Sequence, residues 1–183
     1  LMDIFGSVVA IILFSPIMLF AVIMIKLTSP GPLIYKQERV GLHNHTFMMY
    51  KFRSMEVQSK ESEKKAWTVK NDPRVTGIGK LMRRTSIDEL PQLFNILKGD
   101  MSLVGTRPPT LDEWEKYEPH HRARMSFRPG LTGLWQVSGR SNITDFEEVV
   151  KLDTQYIGEW SVKGDIKIIW QTAVGVLRND GAM

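Results

Sequence analysis

Two adjacent carboxylates, Asp88 and Glu89, sit in the segment Thr85-Ser86-Ile87-Asp88-Glu89, directly after the cation pair Arg83-Arg84. An ionised carboxylate can attack phosphorus or ligate magnesium, and phosphoryl chemistry also needs cations around the transferring group. Arg83, Arg84 and Arg107 supply such cations, as do Lys51 and Arg53 if they share a strand face. The acids also have a plainer reading, because Ser86-x-x-Glu89 matches a capping box in which both simply favour a helix N-terminus. Pro91 weighs against it: a helix starting after Ser86 would need a backbone donor at Pro91, which has none. The regular helix is therefore expected to begin between Glu89 and Pro91. Asp88 and Glu89 then stand at its mouth, where the positive end field favours an ionised acid with a lowered pKa. Competing nucleotide motifs are absent: the chain has no GxxxxGK[ST], no GxGxxG and no Asp-x-Asp pattern.

Several elements must position these residues. Leu33 to Val40 and Thr46 to Arg53 read as two strands of a hairpin around Gly41 to His45. Alternation puts Phe47, Met49, Lys51 and Arg53 on one face, where the two cations make either a phosphate clamp or a charged, solvated strand edge. Ile78, Leu81 and Met82 mark a short helix ending at Arg83-Arg84, and Leu90, Leu93, Phe94 and Leu97 mark another closed by Lys98-Gly99. Met101 to Val104 reads as a strand leading into Gly105-Thr106-Arg107-Pro108-Pro109, where paired prolines stiffen the loop carrying Arg107. Leu111 to Phe127 is mostly helical in pattern, and Gly133 to Arg140 is a glycine-bounded strand or loop. Glu56 to Lys65 is a polar helix or loop, and Asn71-Asp72-Pro73 a turn. Two amphipathic helices follow, one through Phe146, Val149, Val150, Ile157 and Trp160, the other through Ile166, Ile169, Trp170, Ala173 and Leu177. Their tryptophans can pack in the core or lie in a membrane interface.

From Ile4 to Ile25 the chain runs 22 residues without a charge, between Asp3 and Lys26. As a helix this is roughly 33 Å, about one bilayer core. Pro16 removes the donor to the carbonyl of Ile12, so a kink is expected at Ser15-Pro16. Two topologies fit: a kinked spanning helix, or a helix whose two short arms dip into one leaflet and return. Beyond it, Lys36 to Arg84 holds twelve Lys and Arg against five acids, a local charge of about +7 within a chain of net charge +4. Beside an apolar segment, such a block suits anionic lipid or phosphate-bearing ligands. With no cysteine there is no disulfide framework and no thiolate metal site. At 183 residues there is room for one well-packed domain plus a membrane element.

The ordered motifs resemble the bacterial sugar transferases, the monotopic phosphoglycosyl transferases acting on polyprenyl phosphate. The resemblance runs end to end through Leu13-Phe14-Ser15-Pro16, Ser29-Pro30-Gly31-Pro32, Gln37-Glu38-Arg39-Val40-Gly41, Tyr50-Lys51-Phe52-Arg53-Ser54-Met55 and Asn71-Asp72-Pro73-Arg74-Val75-Thr76. It continues through Arg84-Thr85-Ser86-Ile87-Asp88-Glu89-Leu90-Pro91-Gln92, Lys98 to Gly105, Arg107-Pro108 and Arg128-Pro129-Gly130 to Arg140. It departs at Thr106, where a proline is usual and whose loss is expected to loosen the Arg107 loop, and at the start, which lacks the basic pair before Asp3.

The resemblance implies an α+β fold, mostly helical with a short β-hairpin. Residues 1–27 would form a re-entrant membrane helix kinked at Ser15-Pro16, and residues 28–183 one cytoplasmic catalytic domain with interfacial amphipathic helices. It implies a double displacement with Mg2+: Asp88 attacks the phosphorus nearest the sugar of a UDP-sugar, UMP leaves, and polyprenyl phosphate takes the phosphosugar from the enzyme. Glu89 would be the magnesium ligand, and Lys51, Arg83 and Arg107 phosphate-contacting cations. The expected place is the cytoplasmic face of the bacterial inner membrane, at the first membrane step of polysaccharide or glycoconjugate assembly. The pathway (exopolysaccharide, capsule or O-antigen lipopolysaccharide), the sugar, and a homo-oligomer are left open, and nucleic acid is not an expected partner. A longer member with further N-terminal spanning helices is consistent with the C-terminal stretch from Trp160. The rival reading is a membrane-recruited module that binds anionic lipid and has no catalysis.

Overall fold

The computed structural model describes residues 1–56, 72–139 and 143–178. The expected polar segment after Glu56, Asn71 of the turn and Arg140 lie outside the described residues. The architecture is mostly helical with a short antiparallel hairpin. Helix α1 (Met2–Thr28) leads into β1 (Ile34–Val40) and β2 (Thr46–Phe52), then α2 (Gly77–Arg84) and α3 (Gln92–Lys98). Strand β3 (Ser102–Val104), α4 (Leu111–Glu115), a 3-10 segment Pro119–Ser126, β4 (Gly130–Thr132) and α5 (Leu134–Ser138) follow, before α6 (Phe146–Gly158) and α7 (Val162–Arg178).

Helix α1 runs from Met2 to Thr28 with Pro16 inside it. Its sequence explains how the proline is tolerated: the Ile12 carbonyl, which Pro16 cannot serve, accepts from Ser15 Oγ at 2.8 Å. Ser7, Ala10, Ile11, Met18, Ala21, Val22 and Ile25 form its inner stripe, at three- and four-residue spacing along both halves. Small residues in that stripe bring the backbone close; a Cβ on Gly6 would stand 2.7 Å from Leu103 Cδ1. Both ends are tied to the same domain. Asp3 Oδ1 accepts from Ser102 Oγ at 2.8 Å and from the Leu103 amide at 2.9 Å, while Ser29 and Pro30 accept from Arg53. The other side of α1 is bare, with Phe5, Ile12, Leu13, Leu19, Phe20 and Leu27 all exposed.

The hairpin pairs Tyr35 with Lys51, Gln37 with Met49 and Arg39 with Phe47 on one face, and Ile34 with Phe52 and Lys36 with Tyr50 on the other. Along the outer edge of β2, buried Asn95 of α3 stands in for a third strand: its Oδ1 accepts from the Tyr50 amide at 3.0 Å and its Nδ2 donates to the Met48 carbonyl at 2.7 Å. Phe52, Met82, Ala21 and Ile25 form one buried cluster, and Met49, Leu93, Ile96 and Met101 another. Each fully buried large apolar side chain contributes roughly 1.5–3 kcal/mol.

Three expectations are corrected here. Leu111 to Phe127 is broken into α4 and a 3-10 segment, since Pro119 has no amide to continue the first helix. Gly133 to Ser138 is not extended: the strand is β4, before it, and Leu134–Ser138 is helical. Strand β4 pairs in parallel with β3, so closely that a Cβ on Gly130 would lie 2.1 Å from the Gly105 nitrogen. Finally, Thr106 does not loosen the Arg107 loop. It is fully buried, its hydroxyl donates to the Arg124 carbonyl at 3.0 Å, and Arg124 Nη2 donates to the Arg107 carbonyl at 3.2 Å.

Candidate active site

The chain between α2 and α3 turns sharply. Ser86 has φ of 56°, in the left-handed region, and a 3-10 turn over Ile87–Glu89 follows it. Ser86 makes no capping hydrogen bond, so the capping-box reading is not realised, and the regular helix begins at Gln92, one turn beyond the acids. Asp88 is thereby pressed into the domain, 8% exposed. Burial, then the neighbouring Glu89 charge, push its pKa up to about 6, against the pull of Lys51 and Arg83. This corrects the lowered pKa expected at a helix mouth, because desolvation outweighs an end field one turn away. At pH 7 a carboxyl of pKa about 6 is still roughly nine-tenths ionised.

Glu89 is half-buried and its Oε1 lies 2.7 Å from Lys51 Nζ on the facing strand. Arg83 comes from the last turn of α2, steadied by a 2.9 Å bond from its Nε to Ser54 Oγ. Arg107 lines a small polar cavity together with Lys51, Glu89, Arg39, Gln92 and Gln136. Three of the five expected cations, Lys51, Arg83 and Arg107, thus surround the acidic pair or the cavity beside it.

Arg53 does not. Strand β2 ends at Phe52, and Arg53 leaves the alternation to lie buried under the end of α1, donating to the Pro30 carbonyl at 2.5 Å and to the Ser29 carbonyl at 2.8 Å. It is a structural tie between the apolar helix and the hairpin, not a phosphate clamp with Lys51.

Sequence reasoning passed over Arg39. Its Nη1 donates to the Pro108 carbonyl at 2.9 Å and its Nη2 to Gln37 Oε1 at 2.7 Å, so it holds the stiff loop from which Arg107 projects. Burial, with Arg107 nearby, lowers its pKa to about 10, leaving it a cation at neutral pH. The signal was its parity with Lys51 on the same hairpin face. Gln92 and Gln136 carried none, since a lone amide has no characteristic spacing.

Two adjacent carboxylates offer hard oxygen ligands of the kind Mg2+ takes alongside substrate phosphates. Burial is the first cause of the raised Asp88 pKa and the neighbouring Glu89 charge the second, and that second part is negative charge a divalent cation would relieve. Elsewhere, His120, His121 and Glu147 gather three potential ligand atoms within 4.8 Å. Their hydrogen bonds oppose a metal: the Glu118 amide donates to His121 Nδ1 at 3.0 Å, which leaves the ring proton on Nε2, facing Glu147 Oε1 at 2.6 Å. This cluster ties the 3-10 segment to α6.

The family model of the bacterial sugar transferases matches residues 1–179. The chain belongs to that family. It is 51% identical to a galactosyl transferase, CpsE, of Streptococcus agalactiae over 99% of this chain and 42% of the relative. It is 45% identical to an undecaprenyl-phosphate galactose phosphotransferase of Salmonella typhimurium, over 98% of this chain and 40% of that one. A shorter relative, the exopolysaccharide production protein PSS of Rhizobium leguminosarum, is 41% identical, with 96% and 92% covered. This sugar transferase chain therefore spans about two fifths of the length of the first two relatives. The matched region includes the hairpin, both acids and the Arg107 loop.

Proposed function

We propose that this chain transfers a sugar 1-phosphate from a UDP-sugar to undecaprenyl or another polyprenyl phosphate, releasing UMP, at the cytoplasmic face of a bacterial inner membrane. The observation that carries the reading is the buried Asp88, ionised at neutral pH and flanked by Lys51, Glu89 and Arg83. Names of relatives point the same way: one is an undecaprenyl-phosphate galactose phosphotransferase, another an N-acetylgalactosaminephosphotransferase using UDP-N-acetylgalactosamine and undecaprenyl phosphate.

In this mechanism Lys51, Arg83 and Arg107 bind the diphosphate and spread its charge. An Asp88 carboxylate oxygen forms a bond to the phosphorus that carries the sugar. The bond from that phosphorus to the bridging oxygen breaks, and its electron pair leaves on UMP. An oxygen of the polyprenyl phosphate then attacks the same phosphorus, freeing the Asp88 carboxylate and giving polyprenyl diphosphate sugar. Burial of Asp88 favours attack by excluding water from the acyl phosphate. Glu89 would hold Mg2+, which when bound supplies charge neutralisation at the diphosphate.

The topology is the re-entrant one, with both ends of α1 on the cytoplasmic side. What supports this reading is that both halves of the helix pack along one domain, which holds it at Asp3 and again at Ser29. Its bare outer face would meet lipid.

The test is product identity. Incubation with UDP-sugars and undecaprenyl phosphate in detergent should yield UMP, and radiolabelled sugar phosphate should be captured on the protein when acceptor is omitted. Asp88→Asn should abolish both. UDP as product would assign an ordinary glycosyltransferase, and no nucleotide product from any UDP-sugar would leave the lipid-binding module.

A further inference from the structure

On the hairpin face away from Lys51 and Glu89 lies a second concavity, an apolar groove of ≈ 510 Å³. Leu19 and Val22 of α1 form one wall, Ile34 and Phe52 of the hairpin the floor, and Pro91 and Phe94 the other wall. Its volume is that of a ligand site, and Leu19 and Phe94 are 61% and 45% exposed although large and apolar. One polar group cluster stands at the groove. Tyr50 holds two ammonium groups against its ring, Lys36 at 5.9 Å and Lys98 at 4.7 Å from the centroid, and Lys98 Nζ donates to the Tyr50 hydroxyl at 2.5 Å. Neither lysine forms a salt bridge among the described residues. Two like charges gathered at one ring beside an apolar trough suit a ligand with an anionic head and a hydrocarbon chain.

We infer that this groove binds an acyl chain of an anionic bilayer phospholipid whose headgroup phosphate pairs with Lys36 and Lys98. The inference rests on the membrane-docked reading above, since α1 forms a wall. A bilayer lipid is favoured over the acceptor because Lys36 and Tyr50 point to the opposite face of the hairpin from Lys51. A head seated on them lies across the hairpin from Lys51, the cation that acts on Asp88. The site is thus a lipid anchor beside the catalytic one, and it makes docking sensitive to the anionic lipid content of the membrane.

The experiment places a tryptophan at the groove with Phe94→Trp and reads its quenching over that of the native protein. Vesicles of one fixed mixture of phosphatidylglycerol and phosphatidylcholine carry acyl-chain bromine on one lipid or the other. Brominated phosphatidylglycerol should quench the added tryptophan about fivefold more effectively, per mole, than brominated phosphatidylcholine, and Lys36→Gln with Lys98→Gln should erase the difference. Both lysines are exposed, so the variants keep the fold, checked by thermal melting. Equal quenching by the two lipids overturns the proposal. So does loss of the preference on adding a few equivalents of undecaprenyl phosphate, which would assign the groove to the acceptor. Failure of the protein to float with vesicles of any composition sinks the membrane reading itself, a separate outcome.

Discussion

Lys51 Nζ stands 2.7 Å from Glu89 Oε1, so this cation is already engaged across the gap between hairpin and turn. The pair is only partly buried, and its contribution to stability is at most about 1 kcal/mol. Its value is positional: one lysine neutralises Glu89 and also lowers the pKa of Asp88. Lys51→Gln should therefore keep the melting temperature within a few degrees while cutting UMP release by about 100-fold or more. Its acid limb should also shift to higher pH, because Asp88 loses a cation that favours its charge. A pH–rate profile of the variant checks both; an unmoved acid limb would detach Lys51 from Asp88.

The pKa of Asp88 has a consequence for stability whose sign is unusual for a carboxylate. Its folded value, about 6, lies above the ordinary 3.8, so folding favours the protonated acid and ionisation works against the fold. The penalty is absent below about pH 4, grows as pH rises through the window up to about 6, and levels off near 3 kcal/mol. Asp88→Asn should accordingly be inactive yet melt several degrees higher than the native protein at about pH 7.5, with the advantage shrinking toward pH 4. Equal melting at both pH values would show that Asp88 is not desolvated. In the native protein, UMP release should fall with pH below about 6.

These two residues also show where sequence reading stops. The hairpin, α2 and α3 were legible because apolar spacing and glycine or proline punctuation are local signals. Placing Asp88 required knowing that Ser86 adopts a left-handed conformation and that the following turn is buried, which no spacing encodes. Arg53 was misplaced for a related reason: alternation holds only while the strand lasts, and β2 ends one residue earlier. The parallel pairing of β3 with β4, joined across α4 and the 3-10 segment, is set by tertiary contacts that bring Gly105 against Gly130. Family resemblance supplied the candidate roles of Asp88, Glu89 and Arg107; the coordinates added Arg39 behind them.

The support for the Arg107 loop includes a buried ion pair. Arg124 Nε donates to Asp153 Oδ2 at 2.7 Å, with side-chain exposures of 3% and 1%, and Arg124 also donates to the Tyr117 hydroxyl. Burial raises the Asp153 pKa to about 6, and Arg124 opposes that rise. Arg124→Met should cost about 3–5 kcal/mol, since it leaves Asp153 buried without its cation. Adding Asp153→Leu should recover much of that loss, because an apolar pair of similar volume carries no uncompensated charge. Urea unfolding of the single and double variants measures the difference, and additive losses would rule out coupling between the two.

Asp3 offers the sharpest test of how the apolar helix sits. Its carboxylate joins the first turn of α1 to Ser102 and Leu103 of β3, while Arg53 joins the last turn to the hairpin. If α1 stays on one side of the membrane, single cysteines placed at Leu1 and at Thr28 should both resist an impermeant thiol reagent on intact cells and both react after lysis. Labelling of Leu1→Cys from outside would mean a spanning helix and would break the Asp3 contacts in the cell. Asp3→Ala removes two hydrogen bonds to a charged acceptor, at about 1.5–3 kcal/mol each at most. It should lower activity in proportion to the loosening of β3, whose continuation carries Arg107, and leave the impermeant-reagent pattern unchanged. A variant that became labelled at Leu1→Cys only when Asp3 was also removed would show that this single contact, more than the apolar helix itself, holds the N-terminus on the domain side.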